Sequence, residues 1–523
     1  MAQSNAIKAA KVIKIIINTT KNTEPVASSA KSVYIYPILM THQTQKSRRP
    51  VEGGCREVLF VALPLIFSTS SLTIQHFVDR IFLSWYSREA IAASMPAGLL
   101  NFTFMALFIG TAATVGTFVA QYSGAGMDHR IGPVVWQGFY FAFLAGLVSL
   151  VLHPLAPALF SIANHSPRVR EFEIAYFQIL VFGAFPVTAA SALAGFFNGL
   201  GKTVIVMVVS FVETGVNVLL DYILIFGHWG FPRMGVEGAA LGTVLSQVAG
   251  FLIYLGLILR SEYAERFRTR TGWKPDRLLL LRFLRFGLPS GVHFFLELIG
   301  FSLFIQFVGR FGTDVLAAAN ISFNINNLAF MPMIGFGTAV SVLVGRRLGQ
   351  NRPDLAEKSV WSAFRMTIAY TATFALAYAL VPKVFLIPYA SNADPESFSA
   401  VSKTAILFLK FVAVYALFDA MSLVFSAAVK GAGDTRFAMA VSVSLSWTCM
   451  VIPGYLAAFV FHAGILWMWF FLSLYISVLG IVFLLRFLRG KWKTLRVIER
   501  VPDSLDVHMT HIPNPKPEMA PPH

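Results

Sequence analysis

Residues 288–309, LPSGVHFFLELIGFSLFIQFVG, hold a single charged side chain, Glu297, in a stretch that is otherwise apolar and long enough to cross a bilayer. An acid near the middle of a membrane helix costs about 2.5 to 3.5 kcal/mol on insertion scales. Such residues therefore face a water-filled cavity and mark a path for ions or protons. Glu297 points to transport as the class of function.

The composition agrees. The chain is 56% hydrophobic and only 13% charged, with a mean hydropathy of +0.66, whereas soluble domains carry about 25% charged residues. This is a polytopic membrane protein, with membrane lipids as its surroundings. A net charge of +16 would suit nucleic acid if the basic residues shared one face. They lie instead in loops and tails, so no nucleic-acid partner is expected. Two cysteines, Cys55 and Cys449, are too few for a disulfide framework or a cysteine metal site.

Apolar runs of about 20 residues bounded by polar turns number twelve: 58–83, 95–120, 134–152, 174–197, 204–227, 236–259, 283–308, 316–344, 360–381, 404–428, 438–461 and 464–488. Pro64, Pro186, Pro289 and Pro332 fall inside them and mark bends. An even number of spans puts both termini on one side. Most of the 42 lysines and arginines sit on that side, in the two tails and in connections such as 260–285. The opposite loops hold only Arg80, Arg88, Arg168, Arg170, Arg233, Arg310, Lys383 and Lys403. The positive-inside rule places both termini of this multi-pass protein in the cytoplasm.

The chain also repeats itself. At a constant shift of 225 residues, Leu63-Pro64 matches Leu288-Pro289, Ala92-Ala93 matches Ala317-Ala318, and Gly110, Val119 and Gly124 match Gly335, Val344 and Gly349. After a slip of seven, GLGKT (199–203) matches GAGDT (431–435). Six spans separate the copies, so they begin on the same side and form parallel repeats, with the path between them. The expected organisation is an unstructured tail 1–55, an N-lobe 56–260 with the first six spans, a basic linker 261–282, a C-lobe 283–490 and a cytoplasmic tail 491–523. The repeat also disposes of nucleotide motifs. GLGKT lacks the first glycine of a phosphate loop, and its copy carries Asp434 for Lys202. An ion gradient is left as the energy source, with no cofactor.

Candidate ion ligands are few. Tyr415 and Asp419 lie one helical turn apart, and with Glu297 they offer the hard oxygens that Na+ prefers. The two carboxyls could instead share a proton, because like charges out of water repel. In the first half, Glu213, Asn217 and Asp221 recur every four residues as one polar stripe, and Asp79 sits in FVDRIFLSW. Such a stripe is costly against lipid and should face the lobe interior. Plainer readings remain open: Asp79 as an interfacial ion pair with Arg80, and Glu213 as a helix-to-helix hydrogen-bonding residue. His76 and His293, near Asp79 and Glu297, lack the partners of a metal motif and read as modulators of those acids. No metal is expected beyond Na+.

These motifs resemble a known family. FVDRIFLSW, VAQYSGAG (119–126), GFFNGLGKT (195–203), NVLLDYILIFG (217–227), GVEGAALGTVLSQ (235–247), GLPSGVHFFLE (287–297) and YALFDA (415–420) are similar to the NorM-type branch of the multidrug and toxic compound extrusion family, over residues 56–490. The resemblance implies an all-α membrane protein, twelve transmembrane helices in two parallel six-helix repeats forming a V-shaped bundle. It implies export of drugs and organic cations in exchange for Na+ or H+, by a transporter that is not an enzyme. It carries a C-lobe cation site onto Glu297, Tyr415 and Asp419, and an N-lobe site onto Asp79, Asn217, Asp221 and Thr243. Glu213 departs from the family pattern and adds an acid to the second site.

The reading that results is a monomeric, cation-coupled antiporter for lipophilic or cationic small molecules, working by alternating access. A lipid-linked oligosaccharide flippase of the same superfamily is the alternative, and it would line its groove with cations, where these spans show only Arg365 and Lys410. A membrane hydrolase would need a clustered nucleophile, base or metal set. Residues 1 to about 50 have no counterpart in the resemblance. The stretches KVIKIIINTT and VYIYPILM are too short to span, and translation is expected to start at Met40.

Overall fold

The computed structural model describes residues 52–161, 165–390 and 395–499, with side chains of the last stretch from 398 onward. Residues 1–51 of the expected tail, and with them the start at Met40, lie outside the described residues, whereas Gly53 O accepts a hydrogen bond from the Ser362 hydroxyl at 2.8 Å and Cys55 opens the first helix. Among those described, every regular element is helical.

Eleven helices are long and apolar enough to cross a membrane, and a bent pair raises the number to twelve. They are α1 (Cys55–Tyr86), α2 (Arg88–Gly124), α3 (Asp128–Ser149), α4 (Pro167–Gly199), α5 (Thr203–Phe226), α6 (Val236–Ile258), α7 (Arg277–Gly309), α8 (Thr313–Gly349), α9 (Pro353–Leu380 with Pro382–Ala390), α10 (Phe398–Ala432), α11 (Thr435–Val460) and α12 (Ile465–Leu488). Their ends follow ordinary capping chemistry. Ser87 accepts a hydrogen bond from Ala90 N–H at the start of α2, and Asp276 accepts one from Leu279 N–H at the start of α7. Gly227 closes α5 in the left-handed conformation, φ 75°, which a side chain would disfavour.

The helices run on through Pro64, Pro289 and Pro332, and Pro186 merely follows a 3₁₀ turn, Val181–Gly183. The sharp break, 72°, falls between Leu380 and Pro382. Val381 there has left the helical region, φ −129° and ψ 44°, as expected for a residue held before a proline ring. Helix α11 loosens into π turns at Ser446–Val451 and Leu456–Val460, on either side of Pro453.

The repeat is visible in the packing. Helix α1 packs on α5, and its counterpart α7 packs on α11; the halves meet where α1 crosses α8 and α2 crosses α7. Matched glycines make matched contacts. A Cβ on Gly199 would come within 2.7 Å of Gly116 O, and a Cβ on Gly431 within 2.6 Å of Ser341 O. Gly116 and Ser341 are themselves 225 residues apart. Side chains at either glycine would force α4 from α2, or α10 from α8.

Candidate cation sites

In the first half, α1 brings Asp79 to α5, which carries Asn217 and Asp221 one turn apart. All three are buried, at 7%, 0% and 0% exposure. Asn217 Nδ2 donates to Asp221 Oδ1 at 3.5 Å, and the Asp79 and Asp221 carboxyls meet within hydrogen-bonding range. Two carboxylates cannot stand so close in a low dielectric unless a proton or a cation lies between them. Among the described residues, Asp79 Oδ1, Asn217 Oδ1 and Asp221 Oδ2 are buried and have no hydrogen-bond partner. Gly242 of α6 makes the room: a Cβ there would fall 2.2 Å from Asp221 Oδ1.

Thr243 is half-buried beside this cluster, and its hydroxyl donates to Ala239 O of its own helix at 3.0 Å. Glu213 stands two turns from Asp221 along α5. Its carboxylate lies against Gly250 of α6, where a Cβ would be 2.7 Å from Oε2, and within electrostatic reach of Tyr254. The polar stripe is thus divided, Asp221 meeting both Asn217 and Asp79, and Glu213 lying against α6. Among the described residues Asp79 forms no salt bridge with Arg80, and His76 lies within reach of its charge. Tyr176 of α4, buried at 7% exposure and within electrostatic reach of both Asp79 and Asp221, was missed in the sequence. Only its place on the apolar face of REFEIAYFQIL could have signalled it.

In the second half, Glu297 of α7 is half exposed, and His293 Nε2 lies 3.8 Å from its Oε2. Asp419 of α10 is within electrostatic reach of Glu297, and buried Tyr415, one turn before it, within reach of Asp419. Two further residues join this group. Tyr475 of α12 lies within reach of Glu297 and Asp419, and Lys430 near the end of α10 within reach of Glu297 and His293. Lys430 lies past the expected end of that span, 428, in a helix that runs to Ala432. Among the described residues no three His, Cys, Asp or Glu side chains are grouped to hold a metal ion. The two clusters instead suit a proton, or an alkali cation held by carboxyl, amide and phenol oxygens.

The MatE family model matches residues 64–223 and 289–456, the two halves in register with the repeat. The chain is 27% identical over 430 residues to the probable multidrug resistance protein NorM of Brucella suis, covering 82% of this chain and 91% of that protein. It is 26% identical over 450 residues to the NorM of Thermotoga maritima, covering 85% and 94%. Among solved structures, it superposes with TM-score 0.76 and 21% identity on the outward-facing conformation of a multidrug resistance MATE family transporter of the MOP superfamily, covering 84% of this chain and 96% of that one. A MOP superfamily transporter from Pyrococcus furiosus gives TM-score 0.75 at 20% identity, covering 84% and 97%. The chain belongs to the MatE family of NorM-type multidrug and toxic compound extrusion proteins, which are transporters rather than enzymes.

Proposed function

We propose that this transporter exports drugs and organic cations across the cell inner membrane in exchange for Na+ or H+, by alternating access, with both termini cytoplasmic. The observation that carries the reading is the Asp79–Asn217–Asp221 cluster, whose unpartnered buried oxygens need a proton or cation from outside the protein. Glu297 and Asp419 form the second cluster, in the other half. An ion arriving from outside neutralises a carboxyl cluster and so favours one arrangement of the halves, to the extent that its affinity differs between arrangements.

The lobes are assigned as 56–260 and 283–490, joined by 261–282. Both halves come from one chain, which supports a monomer as the working unit. Lys430 adds a cation that a flippase groove would use, but its charge is opposed by Glu297, so it supplies no free anion-binding surface.

The test is ethidium efflux from membrane vesicles of known orientation, with Na+ and pH gradients imposed separately. Efflux driven by one gradient alone names the coupling ion. Efflux that neither gradient changes, in vesicles that hold both gradients, would sink the antiport reading.

A further inference from the structure

At the end of the bundle that carries the basic loops, two pseudo-equivalent clamps join the halves. In the first, Arg347 Nη2 of α8 lies 2.7 Å from Glu57 Oε1 of α1, a direct ion pair. The residues 225 positions away from this pair are Tyr122 of α2 and Arg282 of α7. A phenol and a guanidinium make no ion pair. The missing acid is supplied from elsewhere in the chain: Tyr122 Oη donates to Glu499 Oε2 at 2.8 Å, and Arg282 Nη1 lies 2.6 Å from Glu499 Oε1. Arg130 of α3 donates to the same oxygen at 2.7 Å.

The segment that delivers Glu499 is docked along its length. Trp492 is buried and stacks on Phe487 at 5.0 Å and 9°. Lys493 pairs with Glu357 at 2.6 Å. Val497 and Ile498 are buried, and Val497 N–H donates to Gln121 Oε1 at 2.8 Å. Gln121 in turn donates from Nε2 to Gly431 O across the halves, at 3.2 Å. The segment leaves the last helix of the second half and ends on α2 and α3 of the first.

We propose that residues 491–499 are a tethered latch on the gate at the basic end, and that Glu499 is a positioning residue of the transport cycle that holds the halves closed there. This rests on the alternating-access reading given above. Opening this end separates Gln121 from Gly431 and Tyr122 from Arg282, so it requires the segment to release one side. Without the Glu499 carboxylate, Arg282 loses its acid partner and faces Arg130, which keeps only Asp276 at 3.5 Å, so the closed arrangement loses attraction and gains repulsion. Partial burial alone would push the Glu499 carboxyl up, but the hydrogen bonds from Arg130 and Tyr122 and the Arg282 charge outweigh it and hold the group down at about 2. The latch is therefore charged at every working pH and is a clamp rather than a proton sensor.

The test uses spin labels at His129 and Asp354, exposed positions on the two halves at the basic end, in the full-length protein in lipid nanodiscs, with the distance distribution as readout. Glu499→Gln should raise the long-distance population several-fold, on the order of three to tenfold for a clamp about a third exposed. Adding Tyr122→Glu to Glu499→Gln rebuilds an acid opposite Arg282, as Glu57 stands opposite Arg347, and should restore the wild-type distribution; a merely structural role for the segment predicts no such rescue. If Glu499→Gln leaves the distribution unchanged while Glu57→Gln opens it, the latch is wrong and alternating access stands. If no variant, substrate or cation gradient moves the distribution, the alternating-access reading falls and the latch falls with it.

Discussion

Gly124 and Gly349 touch across the interface between the halves: a Cβ on Gly124 would lie 3.1 Å from Gly349 Cα and 2.1 Å from Arg346 O, and a Cβ on Gly349 would lie 2.2 Å from Gln121 O. The two glycines are equivalent in the repeat, as are Gln121 and Arg346. The internal two-fold axis therefore passes between them, and the closed basic end has no space for a side chain at either position. Gly349→Ala should disfavour the closed arrangement by on the order of 1 to 3 kcal/mol, the usual range for overpacking. Faster thiol labelling at an engineered cysteine at this end measures it; an unchanged labelling rate would mean the contact relaxes without cost.

The Asp79–Asp221 pair should act as a unit. Asp79→Asn and Asp221→Asn are each expected to lower ion-driven efflux by about tenfold or more, and the double variant should be no worse than the poorer single one, because groups that hold one ion are not additive. Neither should lower the thermal midpoint by much, since an amide keeps the shape and hydrogen-bonding capacity of a carboxyl that has taken up a proton. Efflux losses that multiply in the double variant would show two independent sites.

In the second half, Glu297→Gln and Asp419→Asn should abolish ion-driven export while the protein inserts normally. Tyr415→Phe and Tyr475→Phe remove one hydroxyl each and should cost about threefold to tenfold. Vesicle efflux with immunodetection of the inserted protein checks this, and wild-type rates for both acid variants would overturn the site.

Lys430 is a cation within reach of Glu297. Lys430→Met should strengthen the apparent affinity for the coupling ion several-fold, because a positive charge near the ligand competes with the ion. The half-saturating ion concentration for efflux reads this directly. An affinity unchanged or weakened would place the Lys430 amine away from the ion.

The clamp at Glu499 should respond to salt and not to moderate acid. A carboxyl held down at about 2 contributes stability that is full above its unfolded value, about 4.3, and is lost only as pH falls through its folded value. Between pH about 5 and about 8 the difference in open population between the wild type and Glu499→Gln should stay constant. Its side chain is 30% exposed, so raising ionic strength to about 1 M, where the screening length is about 3 Å, should increase that population. The same spin-label distances check both halves of this expectation.

The spans, the repeat and the acids were legible because each is local or periodic. Glu297 announces itself by its cost in an apolar run, and the shift of 225 residues survives in glycines that have no freedom to change at a close crossing. What stayed hidden is partnership. Tyr176 and Tyr475 are ordinary phenols until the fold brings acids beside them, and Lys430 read as a loop residue because α10 runs further, to Ala432. The break at Pro382 was passed over because that proline lies just past the expected end of its span, 381. KWKTLRVIE (491–499) has no helical or strand period, and its order comes from the sites where Trp492 and Val497 dock.

Glu499 follows Arg489, the cap of α12, by about ten residues, so its undocked carboxylate roams only about 17 to 19 Å from its anchor. That corresponds to an effective concentration in the millimolar range at the Arg130 and Arg282 guanidiniums. Closing a loop of this length takes about 10 to 100 ns, far faster than the microsecond to millisecond motions of helical lobes. The tail is thus ready to rebind each time the gate shuts. It sets how much of the population stands open, while the pace of each cycle is left to the membrane helices themselves.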